Sequence, residues 1–333
     1  MRENLNNLKP LRLICALSVV FAHSFSVVSG NYLDEPFQKS TGYSIGDYAV
    51  IVFFAISGIV IPLSLERNPD MLRFWARRML RIFPALIVCV AAVAFALGPA
   101  VSTLSVDAYF ADPRFVKYLF GASSLLATSQ GLPGVYETLP DAEQVNVPLW
   151  TLKYEILAYF FAAIIFGTIR ADPMKRLIFM ALLLMVFLSN FIWLEVSSKL
   201  FNAQVFLTSF FGAAIFYGLI KKCRTAALGA ILSGLFVILL IGTPAWLPAI
   251  SIVLALATLA IAYAPPIPVL TNDRFGDYSY GLYVFAYPIQ QLIVLMYPQI
   301  GVLFHFTASL LICVPLAYCS WHILESRAAS LVR

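Results

Sequence analysis

Ten runs of apolar residues follow one another along this chain, at about 11–30, 47–65, 82–104, 148–169, 177–194, 200–220, 226–243, 248–264, 278–297 and 302–323. A helix of about 20 residues rises roughly 30 Å, the thickness of a bilayer's hydrocarbon core. Backbone placed in lipid must satisfy its own hydrogen bonds, so the runs are predicted to be helices. A membrane barrel would alternate apolar and polar residues, and the unbroken stretch from Ala85 to Leu97 does not. Composition agrees. The 333 residues are 61% hydrophobic and 12% charged, against about half and about a quarter in soluble domains. A disordered chain and an ordinary soluble globule are both excluded. The expected fold is an all-α, polytopic integral membrane protein of about ten transmembrane helices, a single domain over 1–333 with no separate soluble domain. The first run is read as a retained helix rather than a cleaved signal, because His23 interrupts it and nine further runs follow.

The net charge of +5 does not point to nucleic acid, since the basic residues lie in short runs between apolar segments. With the N-terminus inside, the inner loops hold Arg2, Lys9, Arg12, Arg67, Arg73, Arg77, Arg78, Arg81, Arg170, Lys175, Arg176, Lys221, Lys222, Arg224, Arg274, Arg327 and Arg333. The outer side holds Lys39, Arg114, Lys117 and Lys199. Seventeen against four places both termini in the cytoplasm. The five cysteines have no metal-ligand spacing and read as small buried hydrophobes; no metal is expected. Residues 106–147 form a long outer connection, in which Phe115 to Thr128 is too short to span and reads as an interfacial or re-entrant helix.

Ionisable residues at membrane depth are costly and point to function. Here they are His23, Lys153 and Glu155, with Arg12 at the inner end of the first run. Eleven residues separate Arg12 from His23, about 20° past three full turns, so both share one helix face about 16 Å apart. Such a face suits a long ligand with an anionic head at the cytoplasm and a reactive end inside. Topology sets His23 and Glu155 at matching depth, each about 10 Å below the outer surface. An imidazole with a carboxylate suits base catalysis, and equally a transporter's proton relay. Lys153 points away from Glu155 and is expected to snorkel to the outer interface. Arg77 and Arg81 share a face in the run from Arg73 to Pro84. That cluster reads as a topology signal contacting anionic lipid or as a phosphate site. His305 and His322 fall near opposite membrane faces, where interfacial positions are expected.

Several motifs in order resemble the membrane acyltransferase-3 family, which O-acylates bacterial surface and exported polysaccharides. They are Leu8-Lys9-Pro10-Leu11-Arg12 with His23, Phe53 to Gly58, the cluster Arg77 to Pro84, Pro148 to Glu155, Tyr278 to Pro288, and Glu325. The resemblance covers nearly the whole chain. It implies a multi-pass protein of the bacterial inner membrane that moves an acyl group, usually acetyl, from cytoplasmic acyl-CoA to a hydroxyl of a cell-surface or exported glycan. A lipid-linked saccharide is an alternative form of that acceptor. His23 is then the base, or a transient acyl carrier, and Glu155 its charge-balancing partner. Arg12, Arg77, Arg78 and Arg81 would hold CoA phosphates, and Trp150, Tyr280 and Tyr283 would wall the site. Two departures stand out. Ala286 occupies a position where many relatives carry histidine, and Lys9-Pro10 replaces an Asp-Gly pair. A fused acceptor-side hydrolase domain has no room before Arg333, so direct transfer or a separate partner protein is expected. The competing reading is a proton-coupled transporter or flippase of a glycan precursor.

Overall fold

The computed structural model describes residues 5, 7–128, 131–169, 172–193, 198–220, 223–243, 245–266 and 276–332, without the side chains of 187–193, 198 and 199. Arg2, Arg170, Lys221, Lys222, Arg274, Arg333 and the Lys199 side chain, all used in the charge count, lie outside the described residues. No strand occurs among the described residues. Ten long helices make the body: α1 (Leu8–Ser29), α2 (Ile45–Arg67), α3 (Met71–Ala92), α4 (Leu152–Thr168), α5 (Pro173–Trp193), α6 (Ser198–Leu219), α7 (Cys223–Val237), α8 (Trp246–Tyr263), α9 (Ser279–Met296) and α10 (Val302–Ser320). Nine segments among the described residues are long and apolar enough to cross a membrane. The remaining expected run, 177–194, falls on α5, and its residue 194 lies outside the described residues.

Caps set where helices begin. Ser44 and Asp47 form a capping box at the start of α2: the Ser44 hydroxyl accepts from the Asp47 amide at 3.1 Å, and Asp47 accepts from the Ser44 amide at 2.8 Å. The Asn7 side-chain amide donates to the carbonyls of Ile261, Ala264 and Pro265, satisfying the end of α8. Helix α1 packs between α2 and α9, and α6 packs on α2. That last contact depends on Gly58, where a Cβ would sit 2.1 Å from the Phe210 carbonyl oxygen. On the outside, Leu235 and Phe236 of α7 and Phe304 and Leu311 of α10 are exposed, the apolar surface a bilayer would cover.

The long connection between α3 and α4 behaves differently from a surface loop. The short helix expected at 115–128 is Pro113–Ser124, and a second short helix, Val106–Ala111, precedes it. The non-helical chain after them folds back into the bundle. Pro288 explains one anchor. It has no N–H to give its α9 ladder partner Val284, and the orphaned Val284 carbonyl instead accepts from Asn146 at 2.9 Å and from the Cys89 thiol at 3.3 Å. Gln291 donates to the carbonyls of Asp141 (2.7 Å) and Gln144 (2.9 Å). Gly30 ends α1 with φ of 72°, and a Cβ there would lie 2.6 Å from the Pro140 carbonyl oxygen. Such irregular backbone is tolerated at membrane depth only where protein or a cavity takes its polar groups.

Candidate active site

Two cavities lie end to end along α1. One, of about 590 Å³, is lined by Lys9, Arg12, Arg77, Arg78, Arg81 and Glu155 among others. The other, of about 410 Å³, is lined by His23, Glu35, Asp47, Asp141 and Trp150 among others. Four segments of chain run between them, α1 and α9 from the first cavity and α2 and the entry to α4 from the second. Helix α1 carries Arg12 in the first and Val19 and His23 in the second. Helix α2 carries Asp47 in the second and Phe53, Phe54 and Ser57 in the first. The 3₁₀ turn Val147–Thr151 opens on the second, and Glu155 and Tyr159 of α4 on the first. Helix α9 carries Ser279 and Tyr280 in the first. Val50, Thr151 and Tyr283 line both cavities. They mark one level where the cavities meet.

The first cavity is an arginine site with its own counter-ions. The Asp277 carboxylate binds Arg12 at 3.1 Å and Arg81 at 2.9 Å, and Glu325 binds Arg81 at 3.0 Å. Ser320 donates to Glu325 at 2.9 Å, and Ser279 donates to Asp277. Burial alone would raise the Asp277 carboxyl, but the Arg81 and Arg12 guanidinium groups outweigh it and hold the carboxyl at about 2. Asp277 thus ties the starts of α1 and α9 to α3. Arg81 also lies over the Tyr280 ring, 5.4 Å from its centroid. Arg77 and Arg78 meet no carboxylate among the described residues. Arg77 donates to the Val332 carbonyl at 3.4 Å, and Arg78 lies over Tyr159 with its Nε buried and without a partner. Two arginines that line the cavity with no carboxylate on them fit an anionic ligand such as a phosphate.

In the second cavity, His23 lies edge-on to Tyr287 with ring centroids 5.2 Å apart, and no hydrogen bond reaches its imidazole among the described residues. The Tyr287 hydroxyl donates to Asp141 at 2.6 Å. Burial raises the Asp141 carboxyl, against the bonds it accepts from Tyr287 and Ser26. Glu35 accepts from the Gln38 amide at 2.6 Å, while Asp47 is engaged by Ser44 in the capping box described above. Three carboxylates therefore share the cavity with the imidazole, each held by a hydrogen bond.

The expected pairing of His23 with Glu155 is not what the structure brings together: the two residues line different cavities. Helix α4 begins only at Leu152, after the chain has entered the bundle as the turn Val147–Thr151. That entry carries Glu155 one helical turn past Thr151, to the arginine side, where Tyr159 donates to it. Arg12, Arg77, Arg78 and Arg81 do converge as the sequence predicts, with Tyr280 and Tyr283 on their cavity wall and Trp150 on the other. Lys153 lies over the Tyr154 ring at 5.0 Å. His305, in the first turn of α10, is buried against the protein, with Nε2 3.0 Å from the Gln290 carbonyl. His322 is exposed and packs on Tyr318, ring centroids 4.3 Å apart. Asp277, Asp141 and Tyr287 were not singled out by the sequence. The only signal for Asp277 is a carboxylate just before a span, and its arginine partners lie 196 and 265 residues away.

Comparison with known proteins gives the family. A model described as an acyltransferase domain matches residues 5–322. An O-acetyl transferase of Shigella phage Sf6 is 30% identical over 329 residues, covering 95% of this chain and 93% of the relative. Nodulation protein 10 of Rhizobium leguminosarum bv. viciae is 30% identical over 164 residues, 46% of this chain and 42% of the relative. No solved structure matches the chain. With a family model across nearly its whole length and a full-length relative, this multi-helix membrane protein belongs to the acyltransferase-3 family.

Proposed function

We propose that the protein is an integral membrane O-acetyltransferase. It takes an acetyl group from cytoplasmic acetyl-CoA in the arginine cavity and passes it to a hydroxyl of an exported or cell-surface glycan in the His23 cavity. The observation that carries this reading is the meeting of a cationic cavity and a histidine cavity at Val50, Thr151 and Tyr283. An acyl donor is long and polyanionic at one end and reactive at the other, which is the polarity of these two spaces. Both termini lie in the cytoplasm of a bacterial inner membrane in this reading, which puts the arginines on the donor side.

The chemistry divides between the cavities. Arg77 and Arg78 take the donor's phosphates, since no carboxylate competes for them, while Arg12 and Arg81 shape the cavity through Asp277 and Glu325. His23 accepts the proton of the acceptor hydroxyl as its oxygen attacks the thioester carbonyl. The new bond joins that oxygen to the acyl carbon, the carbon–sulfur bond breaks, and the thiolate retreats into the arginine cavity, where cation charge stabilises it. Tyr287, fixed by Asp141, positions the imidazole through its ring edge. Glu155 acts on the donor side, charge-balancing Arg81 rather than His23. Val50, Thr151 and Tyr283 exclude water from the meeting point, which limits thioester hydrolysis.

The test is transfer of radiolabel from acetyl-CoA to glycan in inverted membrane vesicles, comparing wild type with His23→Ala and Arg78→Ala. Label in glycan that disappears with His23→Ala supports the reading. Wild-type vesicles that move glycan without consuming acetyl-CoA would replace it with the transporter.

A further inference from the structure

We infer that Val50, Thr151 and Tyr283 form the acyl-group seat, and that Val50 sets the length of acyl chain the enzyme transfers. The inference deepens the donor reading above and rests on it. These three residues line both cavities, and each is nearly buried, between 5% and 8% exposed. They come from three separate segments, α2, the turn before α4, and α9, so the seat is built across three elements rather than on one helix face.

Two members of the trio are held by hydrogen bonds and the third by its restricted rotamer. The Tyr283 hydroxyl donates to the Pro148 carbonyl at 2.8 Å, and the Thr151 and Tyr283 hydroxyls are 2.5 Å apart. The Thr151 hydroxyl also lies 3.2 Å from the Pro148 carbonyl, so either hydroxyl can donate to that carbonyl while the other donates across the pair. Neither side chain can swing aside without losing a hydrogen bond in a site that offers few replacements. Val50 has no polar atom to anchor it, and a β-branched side chain on a helix holds one rotamer. It is therefore a fixed apolar stop, facing a passage bounded elsewhere by an immobile hydroxyl pair. A donor whose phosphates rest at Arg77 and Arg78 brings its acyl end to this level, below His23. A two-carbon acyl group fits against such a stop, and each added methylene must displace it. Hydrophobic pockets discriminate one methylene by about tenfold or more.

The experiment supplies acetyl-CoA and butyryl-CoA in competition to inverted vesicles of wild type, Val50→Ala, Thr151→Ser and Val90→Ala. Val90 is a buried α3 valine lining neither cavity and controls for a generic loss of packing. Wild type is expected to favour acetyl. Val50→Ala is expected to raise butyryl relative to acetyl transfer about tenfold or more, and Val90→Ala to leave the ratio unchanged. Thr151→Ser keeps the hydroxyl and removes one methyl, so its ratio should move the same way by less. It decides the matter if Val50→Ala fails to accumulate. Acetyl transfer with an unaltered ratio in the junction variants, or an equal change in Val90→Ala, overturns the seat and leaves the donor reading standing. Wild-type vesicles that use no acyl-CoA overturn both.

Discussion

The two cavities are built in opposite ways. The arginine cavity is organised by ion pairs between distant helices: Asp277 binds Arg12 and Arg81, and Glu325 binds Arg81 from the far end of the chain. The histidine cavity is organised by hydrogen bonds from irregular chain: Asp141 and Gln144 are held by Gln291, Asn146 by the carbonyl that Pro288 leaves free, and the imidazole stands perpendicular to the Tyr287 ring. The difference fits the partners proposed for each. A polyanion calls for fixed cations whose mutual repulsion is already neutralised, with a few left unpaired to bind it. A neutral sugar hydroxyl calls for a base that keeps its nitrogens free and carboxylates that can accept hydrogen bonds.

The largest effect should come from His23→Ala. General base catalysis contributes about 10²- to 10⁴-fold, and single-turnover transfer should fall within that range while donor binding, followed by equilibrium dialysis of acetyl-CoA, stays intact. Loss of both together would mean the cavities do not divide the chemistry. Next comes Arg77→Ala with Arg78→Ala. A charge-assisted hydrogen bond is worth about 1.5–3 kcal/mol, so KM for acetyl-CoA should rise about 10- to 100-fold, with KM for the acceptor unchanged. An acceptor effect of equal size would erase the contrast.

Asp277→Asn tests the ion-pair half of the comparison. The folded carboxyl is held near 2, below its unfolded value near 3.8, so Asp277 contributes stability above about pH 4 that is lost as pH falls through about 2. The shift corresponds to about 2 kcal/mol. Detergent-solubilised wild type should lose that much between about pH 4 and about pH 2, and Asp277→Asn should lack it throughout, read by thermal unfolding across the range. Parallel curves for the two proteins would remove Asp277 as the clasp. The smallest effect belongs to Tyr287→Phe, which breaks the bond to Asp141 but keeps the ring edge against His23. Transfer should slow by about 5- to 10-fold, about 1 kcal/mol of barrier, because the ring stays in place against His23, with no change in donor KM.

Much of this was legible in the chain. Membrane helices announce themselves because lipid demands long apolar runs. The arginine cavity was legible for a similar reason: Arg77, Arg78 and Arg81 sit within one helical turn and a half, and Arg12 falls on a computable face of α1. Distance along the chain hid the rest. Asp277 gains its meaning only when three helices meet. Glu155 was set at the depth of His23 by counting helical rise from residue 148, but the chain enters as a 3₁₀ turn pinned by Asn146 and the Thr151–Tyr283 bond. Helical periodicity cannot reveal a non-helical entry. His305 is buried because α9 offers it the Gln290 carbonyl, a partner no local pattern shows.

The most direct test of the account is a structure with a non-hydrolysable acetyl-CoA analogue bound, determined by electron cryomicroscopy in a lipid nanodisc. The account predicts phosphate density at Arg77 and Arg78 and the acetyl end at Val50, Thr151 and Tyr283, with the His23 cavity open to the other side. Phosphates in the His23 cavity, or an acyl end that stops short of the three junction residues, would contradict it.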